Sequence, residues 1–358
     1  MNKNKWLRLL LFIPLLLLVP LTNYFVDPAS LFHIGEEKKM AELILAGNNV
    51  NPPTANFDER EVKKQLIINM PEYVKCVVIG TSLVTEIDRD IVEEDSFYNL
   101  ALSGAELYDY LPQFALIDGY DKKIDKIILS FDSWCFDRQL ISYIEDIRKL
   151  TEYSDYYIEK INGNDNAVFP EETKQTESLI FKNIKQLFSL SYFQSSLSYL
   201  FKRGLRKPVG VVSDDYEYEY YKSDASWHSS KEVLSRGEDY VIEDANYYDT
   251  EHYFTPGEHI DAEYREIFEK SIDYLVNEKG IEIVLFMCPL SPALWEQYDE
   301  DEMPILPDME DFAQELADKY GVKLVGSFNP YDIGVSNSDF YDCRHMRSEA
   351  IDEYFDFN

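Results

Sequence analysis

The sequence predicts an α/β protein built on a parallel sheet, interrupted by one large insertion and preceded by a membrane-spanning helix. Three observations carry this. Short β-branched runs alternate with helical spacing between residues 74 and 131, as in a parallel sheet with crossover helices. The alternation stops at residue 138 and resumes at 259. An uncharged, Leu-rich run opens the chain behind three basic residues. At about 150 residues per domain, 358 residues suit two to three domains or one large one. One interrupted pattern favours the single domain. The expected layout is an anchor at 1–26, a membrane-proximal linker at 27–72 and an α/β domain at 73–358, with the insertion at 138–258.

In chain order, Lys3, Lys5 and Arg8 precede the run from Leu9 to Leu21. From Trp6 to Val26 the strongly polar residues are Arg8, Thr22 and Asn23, and the length matches the roughly 20 residues of a spanning helix. A cleavable signal peptide is the rival reading, but Asn23-Tyr24-Phe25-Val26 follows where a small-residue cleavage site would lie. A buried core helix is the third. Pro14 and Pro20 are tolerable in a membrane helix. The basic flank places the N-terminus in the cytoplasm, so a single-pass protein of the cell membrane with an extracytoplasmic domain is expected. Residues 27–70 are mixed in polarity and broken at Asn49 to Pro53, and read as a membrane-proximal linker with helical stretches.

Val74 to Gly80, Phe97 to Leu102 and Ile124 to Phe131 are the first three expected strands. Leu107, Leu111, Phe114 and Ile117 recur at helical spacing between the second and third. Residues 138–258 are rich in Tyr, Asp, Glu and Ser, with helix-like portions near 139–160 and 173–203. An amphipathic helix then runs from Ile260 to Val276 and stops at Gly280, with Ile281 to Met287 as the fourth strand. Residues 295–303 read as a solvated loop, Met309 to Tyr320 as a helix and Val322 to Val325 as the fifth strand.

Composition limits the function classes. A hydrophobic fraction of 45% supplies a core, which excludes wholesale disorder. With Lys+Arg 34 against Asp+Glu 67, the net charge is -33. Such a chain repels phosphate backbones and shows no basic stripe, so nucleic acid is not an expected partner. There is no HExxH, no calcium-loop spacing and no zinc-type Cys/His spacing, so no metal or other cofactor is expected. Cys76 and Cys288 fall in or beside apolar runs and read as small buried hydrophobes. Four cysteines outside the membrane allow three full disulfide pairings, and a Cys135–Cys343 bridge beside the candidate site is one expectation.

Three short segments carry candidate chemistry. Ile79-Gly80-Thr81-Ser82 follows the first strand, where doubly wound sheets place functional groups and where helix-start N–H groups can hold an oxyanion. A helix-capping Ser is the plainer reading. Asn99 to Ala105 follows the second strand, and Gly104 there lets the backbone approach a ligand. A tight turn is the plainer reading. Asp342-Cys343-Arg344-His345 follows the last strand. An acid three residues before a His can fix the imidazole tautomer and leave Nε2 as a general base, whereas a surface capping pair needs no partner.

In order and spacing, Gly80-Thr81-Ser82, Asn99-x-x-x-x-Gly104 and terminal Asp342-x-x-His345 resemble the SGNH (GDSL-like) hydrolase and acyltransferase superfamily. The resemblance covers residues 74–137 and 281–357. It implies a three-layer, flavodoxin-like fold, a Ser82–His345–Asp342 triad and an oxyanion hole from the N–H groups of Ser82 and Gly104. Two positions depart from the pattern. Thr81 replaces an Asp, and Ser130-Phe131-Asp132-Ser133-Trp134 stands where the family has Gly-x-Asn. An ionised Asp132 has no proton to donate, which leaves Ser133 to complete the oxyanion hole.

The apolar run and Asn23 to Pro28 narrow the resemblance to anchored proteins that act with membrane-bound O-acyltransferases, in teichoic-acid D-alanylation or exopolysaccharide acetylation. The function it implies is a serine acyltransferase or esterase acting on a cell-envelope polysaccharide. The insertion then becomes a lid or polymer-binding surface whose tyrosines stack on sugars, or else simply pack. A non-catalytic scaffold that binds glycan or assembles an acyltransferase is the reading from another class. The acid excess, repelled by anionic polymers and headgroups, suits a neutral sugar chain.

Overall fold

The computed structural model describes residues 17–136, 150–164, 166–170, 183–248, 259–298 and 305–358. Its centre is a five-stranded parallel sheet. The strands are β2 (Tyr73–Ile79), β3 (Phe97–Asn99), β4 (Lys123–Ser130), β8 (Glu282–Met287) and β9 (Lys323–Gly326), in the order β3-β2-β4-β8-β9. Continuous apolar runs suit strands covered on both faces. Alternate residues do point to opposite sides: Ile127, Leu129, Ile283 and Leu285 enter one core cluster, while Ile128, Val284 and Phe286 enter another. The sheet is therefore the middle layer. All five expected strands are present, shifted by a residue or so at their ends, except that β3 stops at Asn99. Beyond it the pairing continues, with the Leu100 N–H on Val78 O (2.7 Å) and the Leu102 N–H on Gly80 O (2.9 Å).

Two helices lie within the stretch expected as a linker, in keeping with the helical stretches foreseen there, and both contribute to the core. Helices α1 (Glu36–Leu45) and α2 (Glu59–Asn69) bury Met40, Ala41, Ile44, Val62, Leu66 and Ile67 in the larger cluster, because these residues recur at helical spacing. Between the two helices, β1 (Asn49–Asn51) pairs antiparallel with β5 (Gly210–Val212) and β6 (Tyr220–Tyr221), and β6 pairs with β7 (Trp227–His228). The insertion and the N-terminal stretch thus share a second, four-stranded sheet.

The remaining longer helices are α3 (Leu107–Gly119), α4 (Thr151–Ile161), α5 (Leu190–Arg203), α6 (Glu238–Tyr247), α7 (Ala262–Asp273), α8 (Ile305–Tyr320) and α9 (Ser348–Tyr354). Helix α7 runs into a π-helical turn, Tyr274–Glu278, before Gly280. The expected loop at 295–303 is described only to residue 298, where a short helix ends at Trp295. Residues 17–26 are helical, and no helix among the described residues is long and apolar enough to cross a membrane. Most of the apolar run and its basic flank, residues 1–16, lie outside the described residues.

The cysteine expectation divides. Cys76 and Cys288 are buried hydrophobes, and burial pushes both thiols up to about 12. The Cys135–Cys343 bridge is not formed, and all four cysteines are free. Cys135 Sγ lies 2.9 Å from Tyr110 Oη beneath β4, whereas Cys343 sits on the terminal loop, its N–H held by Asp244 Oδ2 at 3.0 Å.

Candidate active site

Gly80 ends the first sheet strand because only a hydrogen fits there. A Cβ on it would lie 2.4 Å from Ser130 Cβ and 2.5 Å from Val84 Cγ2. Its closeness to β4 turns the chain sharply into the 3₁₀ turn Ser82–Val84, capped by Thr81, whose Oγ1 accepts from the Leu83 N–H at 3.4 Å. The expected cap therefore exists, but Thr81 supplies it and Ser82 Oγ is left for other partners.

That partner is His345. Nε2 lies 2.9 Å from Ser82 Oγ, and Nδ1 lies 2.9 Å from both carboxylate oxygens of Asp342. Burial alone would raise the Asp342 carboxyl. Its bond to His345, the electrostatic pull of that ring and the backbone N–H groups of Arg344 and His345 overcome this and hold it below the ordinary carboxylate range. An ionised Asp342 can only accept, so Nδ1 carries a proton and Nε2 is the acceptor facing Ser82. The terminal loop is fixed on both sides. Phe340 and Met346 form a β-bridge, and the Arg344 guanidinium donates to Tyr248 Oη at 3.0 Å. The Tyr341 ring lies parallel to the imidazole, with centroids 5.8 Å apart and 3° between the planes.

The two sequence departures meet each other. Thr81 Oγ1 donates to Asp132 Oδ2 at 2.7 Å, and Ser130 Oγ donates to the same oxygen at 2.7 Å. Asp132 is buried and ties the turn that carries Ser82 to the end of β4. The expected oxyanion donors lie on the loops flanking Ser82, one from each neighbouring strand. Gly104 follows β3 in a left-handed conformation, φ +61°, two residues after the Leu102 N–H bonded to Gly80 O. Ser133 opens the 3₁₀ turn after β4. Among the described residues no acceptor takes the N–H of Ser82 or of Gly104. Neither Gly104 nor Ser133 contacts Ser82 through a hydrogen bond.

Several supporting residues escape sequence reasoning. The Asn99 amide donates to Val84 O (2.7 Å), Thr85 O (3.2 Å) and Ile87 O (2.8 Å) and accepts from the Ala101 N–H (2.9 Å), which holds the turn after Ser82 against β3. Lys63, buried on α2, donates to Asn99 O and Ala225 O at 2.9 and 3.0 Å, and burial lowers its ammonium to about 8. Glu86 accepts from Ser229 Oγ, and burial raises its carboxyl to about 7. The insertion reaches the same turn through the Trp227 N–H on Thr85 O (2.7 Å) and Lys222 on Asp88 (2.6 Å). Asn99 stood in a motif without an assigned role. Lys63, Glu86 and Ser229 carry no local signal, since each acquires its partner from a distant segment.

No group of His, Cys, Asp and Glu suited to a metal ion occurs among the described residues. No family model matches the chain, and no curated protein is significantly similar to it. What this arrangement can do chemically is activate a serine hydroxyl. An oriented imidazole can take its proton, and a half-buried carboxylate holds the imidazole.

Proposed function

We propose that this chain is a serine acyltransferase or esterase of the SGNH type, anchored in the cell membrane and acting outside it on O-acyl groups of a cell-envelope polysaccharide. The observation that carries the chemistry is the hydrogen-bonded row Ser82–His345–Asp342 at the carboxyl edge of a parallel sheet. In the proposed reaction Ser82 Oγ attacks the acyl carbonyl carbon and its proton passes to His345 Nε2. The acyl–oxygen bond breaks and the departing hydroxyl takes that proton. A sugar hydroxyl, or water in the esterase form, then surrenders a proton to His345 and attacks the acyl-enzyme; the bond from Ser82 Oγ to the acyl carbon breaks, and Ser82 takes that proton back from His345. The N–H groups of Ser82 and Gly104, with Ser133, are the donors proposed for the oxyanion. A membrane-bound O-acyltransferase that delivers the acyl group is the proposed partner.

A second reading draws on Asp132. Its Oδ2 already accepts from Thr81 and Ser130, and a carboxylate stands where the family places an oxyanion-donating amide. On that reading the fold is a scaffold that binds glycan or assembles the acyltransferase. A fluorophosphonate probe separates the two. Covalent labelling at Ser82 that is lost in Ser82→Ala and His345→Ala supports the enzyme. A folded wild-type protein that never labels overturns it.

A further inference from the structure

One face of the molecule contradicts the rest in both charge and polarity. Helix α5 is amphipathic, with Leu190, Phe193, Leu197, Leu200 and Phe201 on one stripe and Ser195, Ser198 and Lys202 opposite; Leu190 and Phe201 at its ends are exposed and the three between them half-buried. The usual arrangement buries such a stripe, yet the buried residue of this helix is Ser196. Phe201 is 85% exposed, Leu190 and Leu205 are both 69% exposed, and Phe188 is 68% exposed. An apolar surface of this kind marks an interaction site. The charge is equally unlike the whole. Residues 183–210 hold Lys185, Lys202, Arg203, Arg206 and Lys207 and no acid, in a chain where acids outnumber bases 67 to 34. Arg206 is paired with Glu36, while Lys185, Lys202 and Arg203 are exposed.

Helix α5 is also bound to the segment that leads out of the apolar run. The Asn23 amide donates to Gln186 O, Leu187 O and Ser189 O at 3.0, 2.9 and 3.1 Å. Ser196 Oγ donates to Asn23 Oδ1 at 3.1 Å, and Tyr192 Oη donates to Asp27 Oδ1 at 2.6 Å. The neighbouring helix at 17–26 exposes Leu17, Leu18, Leu21 and Phe25. Two apolar surfaces therefore adjoin, rimmed by cations.

We propose that residues 184–205 are a membrane-interface element, lying with the exposed Phe188, Leu190, Phe201 and Leu205 in the headgroup region of an anionic bilayer and Lys185, Lys202 and Arg203 at the level of its phosphates. The combination of an exposed apolar stripe with basic neighbours is what such a surface binds. The charge of the lipid matters locally. Screening over about 8 Å leaves the acid excess elsewhere on the molecule with little influence here. Each cation near an anionic leaflet contributes about five-fold in binding, so three contribute about a hundred-fold. The inference is independent of Ser82 chemistry.

The test uses the full chain reconstituted with vesicles of phosphatidylcholine and phosphatidylglycerol. A nitroxide label is placed at Phe201→Cys or, as a second site, Leu205→Cys. The native thiols are buried, so wild type serves as the unlabelled control. The expected result is a label accessible to oxygen and shielded from a water-soluble nickel chelate. A Lys185→Gln, Lys202→Gln, Arg203→Gln triple variant lowers the docked-to-undocked ratio about a hundred-fold. A label open to nickel on chains that float with the vesicles overturns the proposal. So does equal shielding on pure phosphatidylcholine. Shielding in detergent that grows with protein concentration also overturns it, in favour of a contact between copies. A full chain that does not float with the anionic vesicles at all overturns it too.

Discussion

Glu86→Gln should stabilise this protein at alkaline pH and leave it unchanged in acid. Glu86 is only 5% exposed, four residues after Ser82. Burial is the largest influence on its carboxyl, which rises from an ordinary 4.5 to about 7 against the opposing pull of Ser229, His345 and Lys222. The folded state therefore binds the proton more tightly than the unfolded chain between these two values. Its contribution to stability is complete below 4.5 and falls as pH rises towards 7. A shift of that size corresponds to about 3 kcal/mol. Gln has no proton to lose, and its carbonyl can still accept from Ser229 Oγ. Urea unfolding of the full chain in detergent, followed by fluorescence at pH 4.5 and pH 8, measures the effect as a change in midpoint at constant slope. The expected gain is about 3 kcal/mol at pH 8 and near zero at pH 4.5. A variant that is less stable at pH 8, or a difference that ignores pH, would refute the reasoning. Either result would mean that Ser229 and the nearby cations hold the carboxylate charged at no net expense.

Asp342→Asn should lower the rate of probe labelling by about 10²- to 10⁴-fold with little change in folding, because an amide can donate to Nδ1 and so present the wrong tautomer to Ser82; labelling kinetics beside a melting curve check it. Gly80→Ala should cost about 1–3 kcal/mol, since its Cβ meets Ser130 and Val84, and should slow labelling by displacing the turn. Asn99→Ala removes the donor to three buried carbonyls, so a loss of about 3 kcal/mol by urea unfolding is expected, with slower labelling at Ser82.

What the sequence reveals follows the range of the interactions. Strands β2, β4 and β8 are legible because each is a run of branched residues long enough to show a strand. Ser82, Asp342 and His345 are legible because strand ends and a four-residue turn put them in recognisable local company. The four-stranded sheet is not. Its strands are two or three residues long, too short for any periodicity, and Val50 finds Val211 and Tyr221 across most of the insertion. The Thr81–Asp132 contact has the same character. Each residue looks like a local departure, and only the adjacency of β2 and β4 makes them partners. Residues 36–70 appear as a linker because their apolar positions are spaced among many charges, while the packing that buries them comes from elsewhere in the chain.

The separation of 263 residues between Ser82 and His345 sets a time as well as a place. During synthesis Ser82 and its strand emerge early, and β4 can pair with β2 soon afterwards. His345 arrives last, on a loop that follows β8 and β9, which join the same side of the sheet in order. A nascent or C-terminally clipped chain therefore lacks the Ser82–His345 hydrogen bond, which forms only when the terminal loop has been made.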